Sequence, residues 1–225
     1  MLLNKEDAWY GLCDECRGKF KIDEAERCSL CGRPLISEQG TCLACRDLNE
    51  NPPGYDKLIS LFPYSGLYQK LLGSYKFGKR LTLGRFFAEK VYEALALLFQ
   101  GSEGPPLESE KSVLVPVPPR PGKIRKTGWD QIEYLARFLK KREAQKDGME
   151  VLRCLKRLPS ETQKKLNREN RKSNLKGRIL VKGKAPKIAV LFDDVITTGS
   201  TMDACAAALK EAGAEKVYGI CLFYD

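Results

Sequence analysis

Two adjacent carboxylates and a hydroxyl-rich turn form the segment of this sequence best suited to chemistry. Asp193 and Asp194 follow an apolar run, Ile188 to Phe192, and the turn comes just before a helical pattern. The turn residues are Thr197, Thr198, Gly199, Ser200 and Thr201. A turn at the start of a helix presents backbone N–H groups and the positive end of the helix dipole to an anion, and hydroxyl groups add donors. The segment therefore predicts a phosphate site.

The two acids narrow the choice of ligand. Adjacent carboxylates would repel a phosphate, so they suit the vicinal hydroxyls of a sugar or a divalent cation, and the whole segment predicts a sugar phosphate. The alternative is an ordinary strand-to-helix turn with a capping acid and solvated hydroxyls. The preceding apolar strand and the presence of both acids favour the functional interpretation. We also expect Ser200 to act as the helix N-cap, with Asp203 three residues later.

Apolar periodicity predicts the elements that position this turn. Strands are expected at Lys57–Tyr64, Ser112–Val117, Glu150–Leu155, Ile188–Phe192 and Val217–Phe223, and helices at Leu67–Phe77, Leu83–Phe99, Asp130–Arg142 and Thr201–Ala212. Strands that alternate with helices predict a mostly parallel α/β sheet, which binds ligands at the carboxyl ends of its strands. The Asn-Pro-Pro-Gly linker that ends at Gly54 divides residues 1–54, rich in cysteine, from an α/β domain at 55–225.

The cysteine pattern predicts a structural zinc site. Six of the nine cysteines form three Cys-x-x-Cys pairs within the first 45 residues. Closely paired thiols in a cytosolic protein are usually metal ligands, and Zn²⁺ takes four thiolates in a tetrahedron. Because Gly32 allows a tight turn after the middle pair, we expect Cys28, Cys31, Cys42 and Cys45 to be the ligands. For Cys13 and Cys16 three alternatives stay open: the remnant of a second site, ligands in place of another pair, or free thiols.

Charge and hydropathy exclude some classes of protein. The net charge is +10, and the segment 151–187 holds 13 Lys and Arg against two Glu, so the remaining chain is close to neutral overall. No stretch approaches the roughly 20 apolar residues of a membrane span, and the N-terminus lacks the apolar core of a signal peptide. We therefore expect a cytoplasmic protein with no membrane insertion.

The segment from Val190 to Thr201 resembles the phosphoribosyl pyrophosphate signature of type I phosphoribosyltransferases. The rest of the chain resembles the ComF (competence protein F) family, over nearly its whole length. The resemblance implies a type I phosphoribosyltransferase fold preceded by a zinc-ribbon-like module. It also implies that Asp193 and Asp194 hold the ribose 2′- and 3′-hydroxyls, that the turn residues hold the 5′-phosphate, and that Mg²⁺ accompanies phosphoribosyl pyrophosphate. Purine salvage is disfavoured, because hypoxanthine–guanine enzymes carry an acid where this chain has Thr197.

The segment from Val115 to Gln131 resembles the family's loop on the pyrophosphate side. Its Gly128-Trp129-Asp130-Gln131 departs from the family pattern Arg-Gly-Phe-Asn-Gln, because Thr127 replaces the Arg and Asp130 replaces the Asn. The cations expected to face pyrophosphate are Arg120, Lys123 and Arg125, with Lys126 adjacent. The alternative is a solvated, proline-rich strand exit.

The basic segment contains Thr162-Gln163 and the run Arg168 to Leu175, which is similar to the family's mobile active-site hood. Two roles compete: a cationic lid over pyrophosphate, or a surface that follows a nucleic-acid backbone. The resemblance implies a part in DNA uptake during natural transformation, with single-stranded DNA and other competence proteins as possible partners. The alternative is an active phosphoribosyltransferase that uses an unidentified acceptor in nucleotide metabolism.

Overall fold

A computed structural model describes residues 10–23, 25–48, 52–99, 112–144, 149–159 and 177–225 of the chain. Five strands form one parallel sheet, and they are numbered along the chain as β1 (Lys57–Pro63), β2 (Val113–Pro116), β3 (Glu150–Val151), β6 (Ile188–Ile196) and β7 (Lys216–Tyr224). Their spatial order across the sheet is β1-β7-β6-β2-β3. A separate antiparallel ribbon joins β4 (Leu155–Arg157) to β5 (Ile179–Val181). The prediction of an α/β fold with a mostly parallel sheet is confirmed.

Helices cover both faces of the sheet. They are α1 (Asp14–Gly18), α2 (Gly66–Lys76), α3 (Leu83–Phe99), α4 (Lys123–Thr127), α5 (Gln131–Ala144) and α6 (Ser200–Glu211), with a 3-10 helix at Leu43–Leu48. Side chains of β6 enter two hydrophobic cores, one on each face of the sheet, because successive strand residues point to opposite faces. Val190 and Phe192 pack in the core with α2, α3 and α5, whereas Leu191 packs in the second core with α6 and the ribbon. No helix in the described ranges is long and apolar enough to cross a bilayer.

The order of the strands creates a crevice between β2 and β6. From β2 the chain passes through α5 to β3 on one side, and from β6 it passes through α6 to β7 on the other. Ligands of open α/β sheets bind where the connections diverge in this way, outside the carboxyl ends of the strands. Pro116, the last residue of β2, is in register with Phe192, so the crevice opens at the level of the two acids.

Three sequence predictions need correction. The strand predicted at Glu150–Leu155 is two elements, β3 in the main sheet and β4 in the ribbon. Strand β6 does not end at Phe192, because it continues to pair with β7 as far as Ile196, so both acids lie within the strand. Ser200 is the first residue of α6 rather than its N-cap: Gly199 occupies the cap position, and the Asp203 carboxylate accepts the Gly54 N–H at 2.7 Å.

The cysteine-rich segment packs closely on the free edge of β1. The Ser60 N–H donates to the Gly32 carbonyl at 3.2 Å, and the Ser60 hydroxyl donates to the Cys31 carbonyl at 3.0 Å. A Cβ at Gly32, whose φ is +68°, would lie 2.0 Å from the Leu58 carbonyl oxygen. Phe20 also enters the core beside α3. The segment thereby covers an edge that would otherwise present unpaired backbone groups. Whether residues 1–54 form a separate domain stays a prediction.

Candidate functional site

The turn after β6 lines a small cavity of about 40 Å³. The lining includes Asp193, all five turn residues from Thr197 to Thr201, and the start of α6. A buried water needs on the order of 10–15 Å³ by this measure, so the volume is on the scale of a few water molecules or one phosphate group. The predicted phosphate-binding residues are therefore brought together around one concave space, with one of the two acids among them.

The backbone of the turn depends on Gly199. Its φ is +73°, in the left-handed region that side chains disfavour, although a Cβ there would meet nothing closer than 3.7 Å. Glycine is therefore required here by the backbone conformation and not by a lack of room for a side chain. The turn leads directly into α6, a helix of 12 residues, whose first N–H groups are free of intrahelical partners. The hydroxyls of Thr198 and Ser200 lie 2.9 Å apart. This combination of N–H and O–H donors suits an anion.

Asp193 faces the cavity in a strongly perturbed environment. Burial raises the pKa of its carboxyl group, and the negative charge of Asp194 raises it further. Its Oδ1 atom accepts the backbone N–H of Asp194 at 2.8 Å. No ion pair is formed by Asp193 with another described residue. An acid held in this way gains most from a ligand that brings hydroxyl donors or positive charge.

Asp194 already has partners on α2 and α5. Its Oδ2 atom lies 2.6 Å from the Lys76 ammonium group on α2 and accepts the Gln131 side-chain amide at 2.6 Å. Burial would raise the pKa of Asp194, but Lys76 and Gln131 outweigh it and lower the pKa. Ribose hydroxyls would reach this oxygen only if Lys76 moved. The sequence prediction treated the two acids as equivalent, and the structure separates them.

Of the predicted pyrophosphate-side cations, Lys123 is committed to internal contacts. Its ammonium group lies 2.5 Å from the Asp130 carboxylate and 2.5 Å from the Gln131 side-chain oxygen. The other Asp130 oxygen caps α5, because it accepts the N–H groups of Ile132 and Glu133. Asp130 thus has a structural role at the position where the sequence departs from the family pattern. Arg120 and Arg125 instead line a groove beside α4.

Arg157 is a candidate anion-binding residue that the sequence did not predict. It lies on β4, close enough to Arg120 and Asp193 for their charges to act on its pKa. Burial and the Arg120 charge lower that pKa, whereas Asp193 raises it. Its Nε–H is buried and has no hydrogen-bond partner among the described residues. In the sequence it is one cation among 13 in the basic segment, and nothing in the pattern distinguishes it. The predicted hood motifs, Thr162-Gln163 and Arg168 to Leu175, lie outside the described residues.

The second candidate site is the cysteine cluster. The Sγ atoms of Cys28, Cys31, Cys42 and Cys45 all lie within 4.8 Å of one another, and all four side chains are buried. The Cys42 N–H donates to the Cys28 sulfur at 3.3 Å. Hydrogen bonds from Cys31 and Cys45 lower the pKa of Cys28, whereas the contact with Cys28 raises the pKa of Cys31 to about 11. The four residues predicted as ligands are thus the four that cluster, and Cys13 and Cys16 lie apart from them.

This donor set fits zinc. Four thiols at mutual distances below 5 Å can surround one tetrahedral ion, and the N–H···S bond would stabilise a thiolate. All four positions come from the protein, so the cluster leaves no coordination site for a substrate. Its chemistry is therefore that of a structural metal centre rather than a catalytic one.

Comparison with known proteins identifies relatives along nearly the whole chain, although no protein-family model matches it. A DNA utilization protein YhgH from Salmonella typhi is 27% identical, over 94% of this chain and 96% of the relative. Competence protein ComFC from Streptococcus pneumoniae is 25% identical, over 96% and 88%, and competence protein F from Haemophilus influenzae is 25% identical, over 91% and 93%. At 25–27% identity over nearly their whole lengths, these three proteins show what the chain is similar to. These relatives confirm the resemblance to the ComF family that the sequence indicated.

Proposed function

We propose that this protein binds phosphoribosyl pyrophosphate with Mg²⁺ in the crevice between β2 and β6, and that it acts in the use of incoming DNA. The observation that carries the proposal is the shared cavity of Asp193 and the turn from Thr197 to Thr201. A phosphate site with an acid beside it fits a ribose 5-phosphate group, which carries one phosphate and a pair of vicinal hydroxyls.

The 5′-phosphate would bind in the turn. The start of α6 supplies backbone donors and the positive end of the helix dipole, and the hydroxyls of Thr198 and Ser200 add donors at the same place. Gly199 keeps the turn in its left-handed conformation. This half of the site needs no movement of the described residues.

The ribose would lie against Asp193. This carboxyl group lines the cavity, and its Oδ1 atom accepts the Asp194 N–H. Mg²⁺ fits the same region, since it binds through one or two carboxylates together with phosphate oxygens and water. When bound, it would supply positive charge to the pyrophosphate and would favour the ionised form of Asp193. Asp194 would join only if Lys76 were displaced.

The pyrophosphate would lie between Arg120 and Arg157. The Arg120 charge lowers the pKa of Arg157, and an anion between the two guanidinium groups would oppose that effect. The buried, unpartnered Nε–H of Arg157 gives an independent reason to expect an acceptor there. Lys123 would instead hold the loop in place through Asp130 and Gln131.

The biological role follows from the relatives rather than from the site. The names of the relatives refer to competence and to DNA utilization. We therefore place this chain in DNA uptake, with phosphoribosyl pyrophosphate as a bound ligand and zinc as a structural ion in the cysteine cluster.

Calorimetry with the whole ligand and with its two parts tests the proposal. Calorimetry is carried out with phosphoribosyl pyrophosphate, ribose 5-phosphate and pyrophosphate, each with Mg²⁺. The Arg157→Gln substitution should weaken binding of phosphoribosyl pyrophosphate and pyrophosphate about tenfold or more, because a charged hydrogen bond is lost, and should leave ribose 5-phosphate unchanged. Lys156→Gln, the exposed neighbour on β4, is the matched control and should change none of the three affinities.

Two results would contradict the proposal: no binding of any of the three ligands, or equal losses in the Arg157 and Lys156 variants. Consumption of phosphoribosyl pyrophosphate beyond one equivalent, in the presence of a candidate acceptor, would show that the protein is also a transferase.

A further inference from the structure

A second cleft lies beside α4. It has a volume of about 300 Å³ and is bounded by the loop after α2, by α4 and by the first turns of α5. That volume is at the lower end of the range for small-molecule sites. Ile124 lines both this cleft and the groove of Arg120 and Arg125, so the two adjoin each other.

Part of the lining of the cleft is apolar and aromatic. Trp129 and Tyr134 form part of it, with ring centroids 6.3 Å apart, and both are partly exposed. Leu81 and Ile124 line it as well, and they are two of the seven large hydrophobic side chains that the described residues leave exposed. Apolar side chains concentrated in one concave place indicate a binding surface more strongly than scattered ones do.

The rim of the cleft is cationic. Lys79 and Arg137 line it and are exposed, and the exposed Arg125 and Lys126 follow on α4. Two acids also line the cleft, but both are neutralised within the described part of the chain: Asp130 pairs with Lys123, and Glu133 pairs with Arg153. The net charge that the cleft presents to a ligand is therefore positive.

We infer that this cleft binds an unpaired base of single-stranded DNA, with the phosphates of the strand along Lys79, Arg137 and the cations of α4. A base offers a flat, largely apolar face that suits a pocket with a tryptophan and aliphatic walls, and the flanking phosphates match the cationic rim. A duplex would keep its bases stacked and out of reach of such a pocket. This inference rests on the proposed role in DNA use, but it does not depend on the phosphoribosyl pyrophosphate site.

Fluorescence anisotropy of a labelled oligothymidine tests the assignment at constant salt. Ile124→Glu and Arg137→Glu should each weaken binding about tenfold, because they place negative charge in the pocket and at its rim. Lys140→Glu is the matched control, since it makes the same change of charge on α5 at an exposed position outside the cleft lining. Its effect should be less than about threefold. Circular dichroism checks that each variant is folded.

A strand of the same length with abasic sites identifies the contribution of the base. The wild-type protein should bind oligothymidine about tenfold more tightly than the abasic strand, and Ile124→Glu should remove that preference. In a Trp9→Phe background, Trp129 is the single tryptophan, and oligothymidine should quench its fluorescence more than the abasic strand does.

Equal affinities for the intact and abasic strands, or equal losses in Arg137→Glu and Lys140→Glu, would overturn the inference and leave the proposed role in DNA use intact. A wild-type protein that binds neither strand would contradict both. Heat from phosphoribosyl pyrophosphate should be the same in Arg137→Glu as in the wild type, which separates this cleft from the other site.

Discussion

The two candidate sites of this protein differ in how many of their polar groups have partners within the protein. In the cysteine cluster, four buried thiols meet one another, and the loop that carries them is bonded to the edge of β1. At the end of β6, a perturbed acid, free N–H groups and a left-handed glycine surround an open cavity. Groups that have no internal partner cost stability unless a ligand supplies one. This difference supports a structural role for the cysteine cluster and is the basis for proposing a ligand site at the end of β6.

The largest expected effect is loss of the cysteine centre. Zinc in such sites contributes an apparent ~10–16 kcal/mol to folding, and here the loop also covers β1. Cys42→Ser should therefore lower the melting temperature by at least about 10 °C and reduce zinc from one ion per chain to a small fraction, measured by atomic absorption. Cys13→Ser is the control and should retain both values. An unchanged melting temperature after removal of the metal would show that the cluster does not stabilise the fold.

The next effect concerns Asp194, the acid that is already paired. Asp194→Asn leaves the Lys76 ammonium group without its carboxylate, at a cost of roughly 2–3 kcal/mol because Lys76 is partly exposed. The native pKa of Asp194 is lowered, so its contribution to stability is present above about pH 4 and is lost as the pH falls below that value. Urea unfolding at several pH values measures both. If Asp194→Asn with Lys76→Met is no more stable than Asp194→Asn alone, the pair is not the cause.

A smaller effect is expected at the turn. Gly199→Ala forces a side chain into the left-handed region and should cost about 1 kcal/mol. Gly183→Ala, at φ +76° with open space around it, should cost a similar amount. Only the Gly199 variant should lose affinity for ribose 5-phosphate, by about tenfold in calorimetry. Equal affinities in the two variants would contradict a phosphate site at the turn.

The smallest expected effect is a gain in stability, and it concerns Asp193. Because the native pKa of Asp193 is raised, the folded state holds its proton more tightly than the unfolded state does, and stability falls as the pH rises above about 4. Asp193→Asn keeps the Oδ1 acceptor and removes this penalty. Its melting temperature should exceed that of the wild type by about 1–2 °C at pH 8, with no difference below pH 4. A lower melting temperature at pH 8 would mean that Asp193 stabilises the fold as Asp194 does.

The sequence predicted the α/β fold because long apolar patterns such as Leu83–Phe99 determine their own secondary structure, and this helix has the predicted bounds. The spacing of the cysteine pairs, together with Gly32 after the middle pair, also selected the four cysteines that cluster. The sequence did not predict that Asp193 and Asp194 have different partners. Only the packing of α2 against the sheet places Lys76 beside Asp194, and Lys76 is far from Asp194 in the sequence. The position of Arg157 near Arg120 likewise depends on tertiary structure, because the two residues come from different segments.

The most direct test of the proposed function is a calorimetric titration of phosphoribosyl pyrophosphate with Mg²⁺ into the wild-type and Asp193→Asn proteins. We expect saturable binding with one ligand per chain in the wild type, and at least about a hundredfold weaker binding in a variant that is folded and slightly more stable. Equal binding by the two proteins would contradict the claim that Asp193 and the turn after β6 form the ligand site.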